Sequence, residues 1–276
     1  MQRIIALLTV ALTLTFGSAA ALADAKTEQR LDESRRVFES FANLSEQAIP
    51  VWLLERSYGM VVVPKVIKGA LGLGGRGGRG VMAVRNPDGT WSNPVFVTLA
   101  GVNFGFQFGV QSTDIVMVLM SRESIEGISG GKVTLGADAS VAAGPIGRAA
   151  AASTDATFKA QVLSYSRNEG IFAGVALDGT VIAVDDGSNE TAYGVSDLLP
   201  SQILEGRIAS APPAAKEFTA ALNRATTPAA KTMPAAPAPA NGATPPPAQP
   251  ATPSTDPKPA TTYPMEDPNP GAPPPE

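Results

Sequence analysis

From Phe104 to Gln111 the sequence reads FGFQFGVQ, a strict two-residue alternation that suits an extended strand. Phe104, Phe106, Phe108 and Val110 fall on one face, and Gly105, Gln107, Gly109 and Gln111 on the other. Glycine recurring on one face suits strong sheet curvature or the close approach of another element. Met60–Val63, Gly80–Arg85, Trp91–Leu99 and Ile115–Met120 are further short apolar or alternating runs, and Asn86-Pro87-Asp88-Gly89 is a turn signal between two of them. Lys132–Leu135, Gln161–Tyr165, Ile171–Leu177 and Thr180–Val184 repeat the pattern, with a turn signal at Asp178-Gly179. Helical periodicity is confined to Lys26–Leu44, about Ser45–Ser57, Arg122–Ile128, Ser196–Ile208 and Ala214–Arg224. About nine strands with few long helices predict a mainly β (β+α) fold: a curved antiparallel β-barrel core with about three or four helices packed outside.

The two ends of the chain lie outside that pattern. Arg3, the apolar run Ile4–Phe16 and Ala21-Leu22-Ala23 have the layout of a cleavable signal peptide over 1–23, which predicts a periplasmic or secreted protein with no transmembrane segment in the mature chain. The chain has no cysteine, so disulfides and an N-terminal lipidated cysteine are both excluded. Most of its 25 prolines fall after position 211. Residues 212–276 therefore read as a Pro/Ala-rich tail, mostly disordered, with a helix at 214–224 and a potential envelope protein partner. The folded domain is assigned to 24–211.

Four motifs look like chemistry and fail on context. Gly72–Gly77, GLGGRG, spells a dinucleotide fingerprint, but a strand-like run comes next where the phosphate-binding helix should start, and the ribose-binding acid is absent. Gly127-Ile128-Ser129-Gly130-Gly131 and Ser129-Gly130-Gly131-Lys132 resemble serine-nucleophile signatures, but the chain has no histidine and no strand-turn-helix elbow. Asp185-Asp186-Gly187-Ser188-Asn189-Glu190 offers oxygen ligands without calcium-loop spacing and reads as a solvated turn. No catalytic residue, metal or cofactor is assigned.

Charge distribution is more informative. The net charge of −4 disfavours nucleic acid as a partner. Yet between Arg56 and Pro87 there is no acid, while Arg56, Lys65, Lys68, Arg76, Arg79 and Arg85 are basic. Gly72, Gly74, Gly75, Gly77, Gly78 and Gly80 lie among them and predict a flexible loop whose backbone can approach an anion closely. Lys65, Lys68, Arg76 and Arg79 are the candidate phosphate-binding cations.

The blocks IPVWLLERSYGMVVVPKVIKGALGLGGRGGRGVM, DGTWSNPVFV, GFQFGVQSTDIVMVLM, KVTLGADASVAAGPIGR and LSYSRNEGIFAGVALDG occur in the order seen in the SYLF family of lipid-binding domains, which the chain resembles over about 48–194. The eukaryotic relatives of that family include yeast actin-binding Ysc-type proteins. The resemblance implies a β-barrel core, no established catalysis, and weak, salt-sensitive binding of phosphoinositides or other anionic phospholipids. Lys65, Lys68 and the arginine-bearing glycine segment are the matching positions. It also makes Trp52 and Leu53, in the apolar Ile49–Leu54 segment, candidates for shallow membrane contact, with packing on the barrel as the favoured alternative for the segment. Gly77 stands where relatives commonly carry an aromatic. In an exported protein phosphatidylglycerol or cardiolipin is the expected ligand, and actin binding does not carry over. A protein–protein interaction module in the envelope and an uncharacterised hydrolase remain the alternatives.

Overall fold

The computed structural model describes residues 24–42, 49–146, 159–168, 171–175 and 177–226, with backbone alone at 70–73, 103–110 and 172. The expected signal peptide and most of the expected tail lie outside them. The fold is mixed β and helix, as the sequence predicts, but the sheet stays open as a curled half-barrel. Among the described residues seven strands succeed one another: β1 (Gly59–Val84), β2 (Val95–Leu119), β3 (Lys132–Thr134), β4 (Val141–Ala143), β5 (Val162–Asn168), β6 (Ile171–Gly174) and β7 (Thr180–Val184). Six helices are described: α1 (24–42), α2 (Val51–Arg56), α3 (Arg122–Ser129), α4 (Asp186–Tyr193), α5 (Pro200–Leu204) and α6 (Pro213–Thr226).

The β1–β2 hairpin is the spine. The expected turn closes it: Asn86 N–H bonds Thr90 O at 2.8 Å, Gly89 takes φ +87°, and Asp88 caps Thr90. From there the two strands pair antiparallel from Met82↔Val95 out to Gly59↔Leu119. The glycine-rich stretch expected to be a loop is thus the middle of a 26-residue strand. Its register partners run through Arg76↔Gly101 and Gly72↔Gly105, so pairing with β2 satisfies backbone groups that a loop would leave to water.

A straight strand of this length would reach roughly 85 Å, about twice the width of a domain this size. The ribbon folds back on itself instead. A Cβ placed on Gly80 would stand 2.0 Å from the Val62 carbonyl oxygen, and one on Gly78 would stand 2.7 Å from Val63 Cγ1 and 2.8 Å from Val66 Cγ2. The first arm of β1 therefore lies directly against its last arm. Beyond the ribbon, β7 pairs with Val97–Gly101 of β2 and carries β3, while β5 pairs with Asp114–Leu119 and carries β4 and β6. Consecutive residues such as Met60–Val63 and Val116–Leu119 are fully buried, because each arm is covered on both faces.

The helices supply the outer cover. α1 buries Leu31, Phe38 and Phe41; α6 buries Phe218 and Leu222 and ends where Trp91 Nε1 donates to Thr226 Oγ1 at 2.9 Å. Arg224 pairs with Glu39 across these two helices. The fold therefore continues past the boundary expected at 211: Pro213 opens a packed helix rather than a tail.

α4 occupies the segment read as a solvated turn. Asp185 caps Ser188 N and pairs with Arg30 at 2.9 Å, Gly194 ends the helix at φ +65°, and buried Asn189 accepts the Phe96 N–H at 2.8 Å. Burial opposes ionisation of Asp185, but the Ser188 and Arg30 hydrogen bonds outweigh it and hold the carboxyl below its ordinary value. A depressed folded-state value adds stability above the unfolded value near 4, and that stability is lost as pH falls through the folded value. Asp185→Asn is thus expected to lower stability by about 1 kcal/mol near neutral pH. The gap from wild type should close below about pH 4, measured by urea denaturation across pH.

Candidate functional site

The four cations assigned from the sequence are brought onto one ribbon but not into one cluster. Lys65 sits at the register shift between Val63 and Val66 with φ +48°. Its N–H bonds Asp114 Oδ1 at 3.0 Å and its Nζ bonds Glu33 Oε1 at 2.7 Å. Asp114 in turn pairs with Arg167 at 2.7 Å. Lys65 therefore pins a bulge to α1 and is not a free cation. The Lys65 hydrogen bond, resisted by partial burial, keeps the Glu33 carboxyl below its ordinary value.

Lys68 comes two residues after Val66 and Arg76 two before Gly78, so they extend the faces along which the two arms meet. Both are half-buried. Arg76 runs beside Gly101: the position of a Cβ there lies 3.2 Å from Arg76 Cγ and 3.0 Å from Thr180 Oγ1. Arg76 Nε and Thr180 Oγ1 are buried and lack a hydrogen-bond partner among the described residues. Burial lowers the Arg76 pKa, and Asp178 opposes that shift. Arg79 is exposed on the opposite face, together with Gly75 and Gly77. That face also exposes Ile67 (48%) and Val102 (63%), which the sequence pattern does not single out. Thr180 carries no sequence signal either. Neither strand carries a carboxylate from Gly59 to Val84 or from Val95 to Thr113.

The glycines have unequal work. Gly78 and Gly80 permit the crossing of the arms, whereas nothing comes closer than 3.7 Å to a Cβ at Gly75 or 3.9 Å at Gly77. Gly74 is a buried position in the ladder and Gly72 a backbone partner of Gly105. Leu53, a candidate for membrane contact, is buried in the core, and Trp52 is half-buried against it; Val51 is the exposed apolar residue of α2. α2 buries Leu53 and Leu54 and packs against α6. Ser129 ends α3 with its hydroxyl donating to Ile125 O at 2.8 Å, the bond of a helix-terminal serine.

Residues 100–225 match the family model described as "Ysc84: Las17-binding protein actin regulator". Protein YSC84 of Saccharomyces cerevisiae is 38% identical over 174 residues, which is 62% of this chain and 36% of the yeast protein. LAS seventeen-binding protein 3 of the same species is 37% identical over 171 residues, covering 61% of this chain and 37% of that protein. SH3 domain-containing YSC84-like protein 1 of Xenopus laevis is 31% identical over 189 residues, 66% of this chain and 56% of the frog protein. The chain thus spans between a third and somewhat over half the length of these relatives. The pairing of β2 with β5 and helices α3, α4 and α5 fall within the matched span, and the chain carries a domain of the Ysc84 (SYLF) family.

Proposed function

We propose that the domain is a non-enzymatic binding module that docks on anionic phospholipid head groups through the outward bend of the β1–β2 ribbon. The observation that carries this reading is the composition of the ribbon around its bend: Arg79 on the face that exposes Ile67 and Val102, and half-buried Lys68 and Arg76 on the other, on strands free of carboxylates until Asp114. Apolar side chains flanked by cations suit the boundary between head groups and acyl chains. Each basic residue near an anionic surface contributes about 1 kcal/mol, so the attachment is weak and salt-sensitive. With export directed by residues 1–23, phosphatidylglycerol or cardiolipin would be the ligand. A second reading, a protein–protein interaction module, draws on the Las17-binding relatives.

Co-sedimentation of residues 24–276 with phosphatidylglycerol/cardiolipin vesicles, against phosphatidylcholine vesicles, tests the membrane reading. Lys68→Gln/Arg79→Gln should weaken pelleting roughly 30-fold at low salt. Lys65→Gln should act chiefly on stability, because its ammonium is already paired with Glu33. A folded wild-type protein that ignores anionic vesicles even at low salt would turn attention to the protein-partner reading.

A further inference from the structure

At the end of the ribbon farthest from its bend, a second cationic site is built from the ends of four elements. A cleft of about 520 Å³ is lined by Glu55, Arg56, Tyr58, Arg85, Met120 and Arg122, among others. Arg56 is the last residue of α2 and Arg122 the first of α3; Tyr58 and Arg85 bracket β1, and Met120 comes directly after β2. Arg85 is fixed in place: Nη2 donates to Leu54 O at 2.7 Å, Nε donates to Ser57 O at 3.1 Å, and the guanidinium lies 5.0 Å from the Trp91 ring centre. The Arg122 guanidinium lies 5.2 Å from the centre of the Tyr58 ring, which is 40% exposed. Arg56 and Arg122 are exposed, and among the described residues neither has a carboxylate within ion-pairing distance. Three guanidinium groups thus share a cleft whose lining holds one carboxylate, Glu55.

We infer that this cleft docks an acidic peptide segment of a partner protein, with Arg56 and Arg122 receiving its carboxylates and Tyr58 and Met120 its apolar side chains. Guanidinium forks match carboxylates in geometry, and an arginine already held over a ring loses less freedom on pairing. Arg85, with two of its nitrogens committed to backbone carbonyls, supplies fixed positive charge behind them. The cleft volume falls in the range that holds a few side chains. Glu55 at the cleft argues against nucleic acid, whose charge is continuous; a peptide can leave a gap opposite it. The site lies some nine residues along the strand from Lys68 and Arg76, a separation of up to about 30 Å. Occupation of the cleft would therefore leave the bend free, and the inference stands whether or not the bend meets a membrane.

Fluorescence anisotropy of a labelled peptide of alternating Glu and Pro, with a Gln–Pro peptide as control, tests the inference on residues 24–276. Proline keeps the probe extended and offers rings to Tyr58. The Glu–Pro peptide should bind wild type, lose affinity as salt rises, and bind Arg56→Gln/Arg122→Gln about tenfold more weakly. Lys68→Gln/Arg79→Gln should bind it as wild type does. Arg122→Gln alone, which leaves α2 untouched, should show an intermediate loss. Equal binding by wild type and the double cleft variant, or no binding by wild type, overturns the inference. So does loss of anionic-vesicle pelleting in the cleft variant with retention in Lys68→Gln/Arg79→Gln, which would make the cleft the membrane contact.

Discussion

Gly80→Ala is expected to be among the most damaging single substitutions in the domain, lowering stability by about 3 kcal/mol or more. The added methyl would sit 2.0 Å from the Val62 carbonyl oxygen and 2.8 Å from Val63 Cα. Those atoms are backbone in a fully buried strand, so no side chain can rotate away, and relief requires parting the two arms of the ribbon. Parting them exposes Val61–Val63 and Val81–Ala83 together, so the cost spreads through the core. Gly77→Ala is the matched control. It lies three residues away in the same glycine-rich run, yet nothing approaches its Cβ position closer than 3.9 Å. It should be neutral or slightly stabilising, since alanine restricts the unfolded chain more than glycine does. Urea denaturation midpoints separate the two cases. Equal tolerance at both positions would mean that the arms do not cross at Gly80.

That contrast explains why the glycine-rich stretch is legible as unusual but not as a strand. Glycines remove the side-chain alternation by which a strand announces itself, so Gly72–Gly80 reads as loop while its pairing with β2 is set by residues 17 to 33 positions away. The same gap hides the site's geometry. Two register shifts, between Val63 and Val66 and between Ala70 and Gly72, break the parity that would tell which cations share a face. The cationic island is plain in composition, but only folding brings Glu33 of α1 and Asp114 of β2 onto Lys65. Elements with local signals are easier: the Asn86–Gly89 turn and Arg122–Ile128 need nothing distant. α4 does carry local signals, Asp185 as cap and Gly194 as stop, but its low apolar content conceals them. α6 is recognisable as a helix yet reads as part of the tail, because Pro212-Pro213 resembles the proline-rich residues beyond 226 more than the proline-poor residues before 212.

Glycine performs a second close-approach role at Gly144, where Tyr165, the largest fully buried side chain among the described residues, meets backbone. The position of a Cβ at Gly144 lies 2.1 Å from Tyr165 Cζ and within 2.5 Å of two other ring carbons. Tyr165 is 1% exposed and its hydroxyl donates to Pro145 O at 3.3 Å. Burial pushes its phenol far above the ordinary range, so it stays protonated and available as a donor. The Gly144 backbone has little room to retreat, because it already packs against Gly174, the cross-strand partner of Tyr165. Gly144→Ala is therefore expected to cost about 3 kcal/mol, and Tyr165→Leu about as much through lost packing and a lost hydrogen bond. The informative measurement is the double variant. If the clash with the ring is the cause, Gly144→Ala/Tyr165→Leu should be more stable than the sum of the two losses predicts, by about 1–3 kcal/mol, because leucine vacates the space that the methyl needs. Additive losses would place the cost of Gly144→Ala elsewhere, in the backbone of 141–146 that β4 lays along β5.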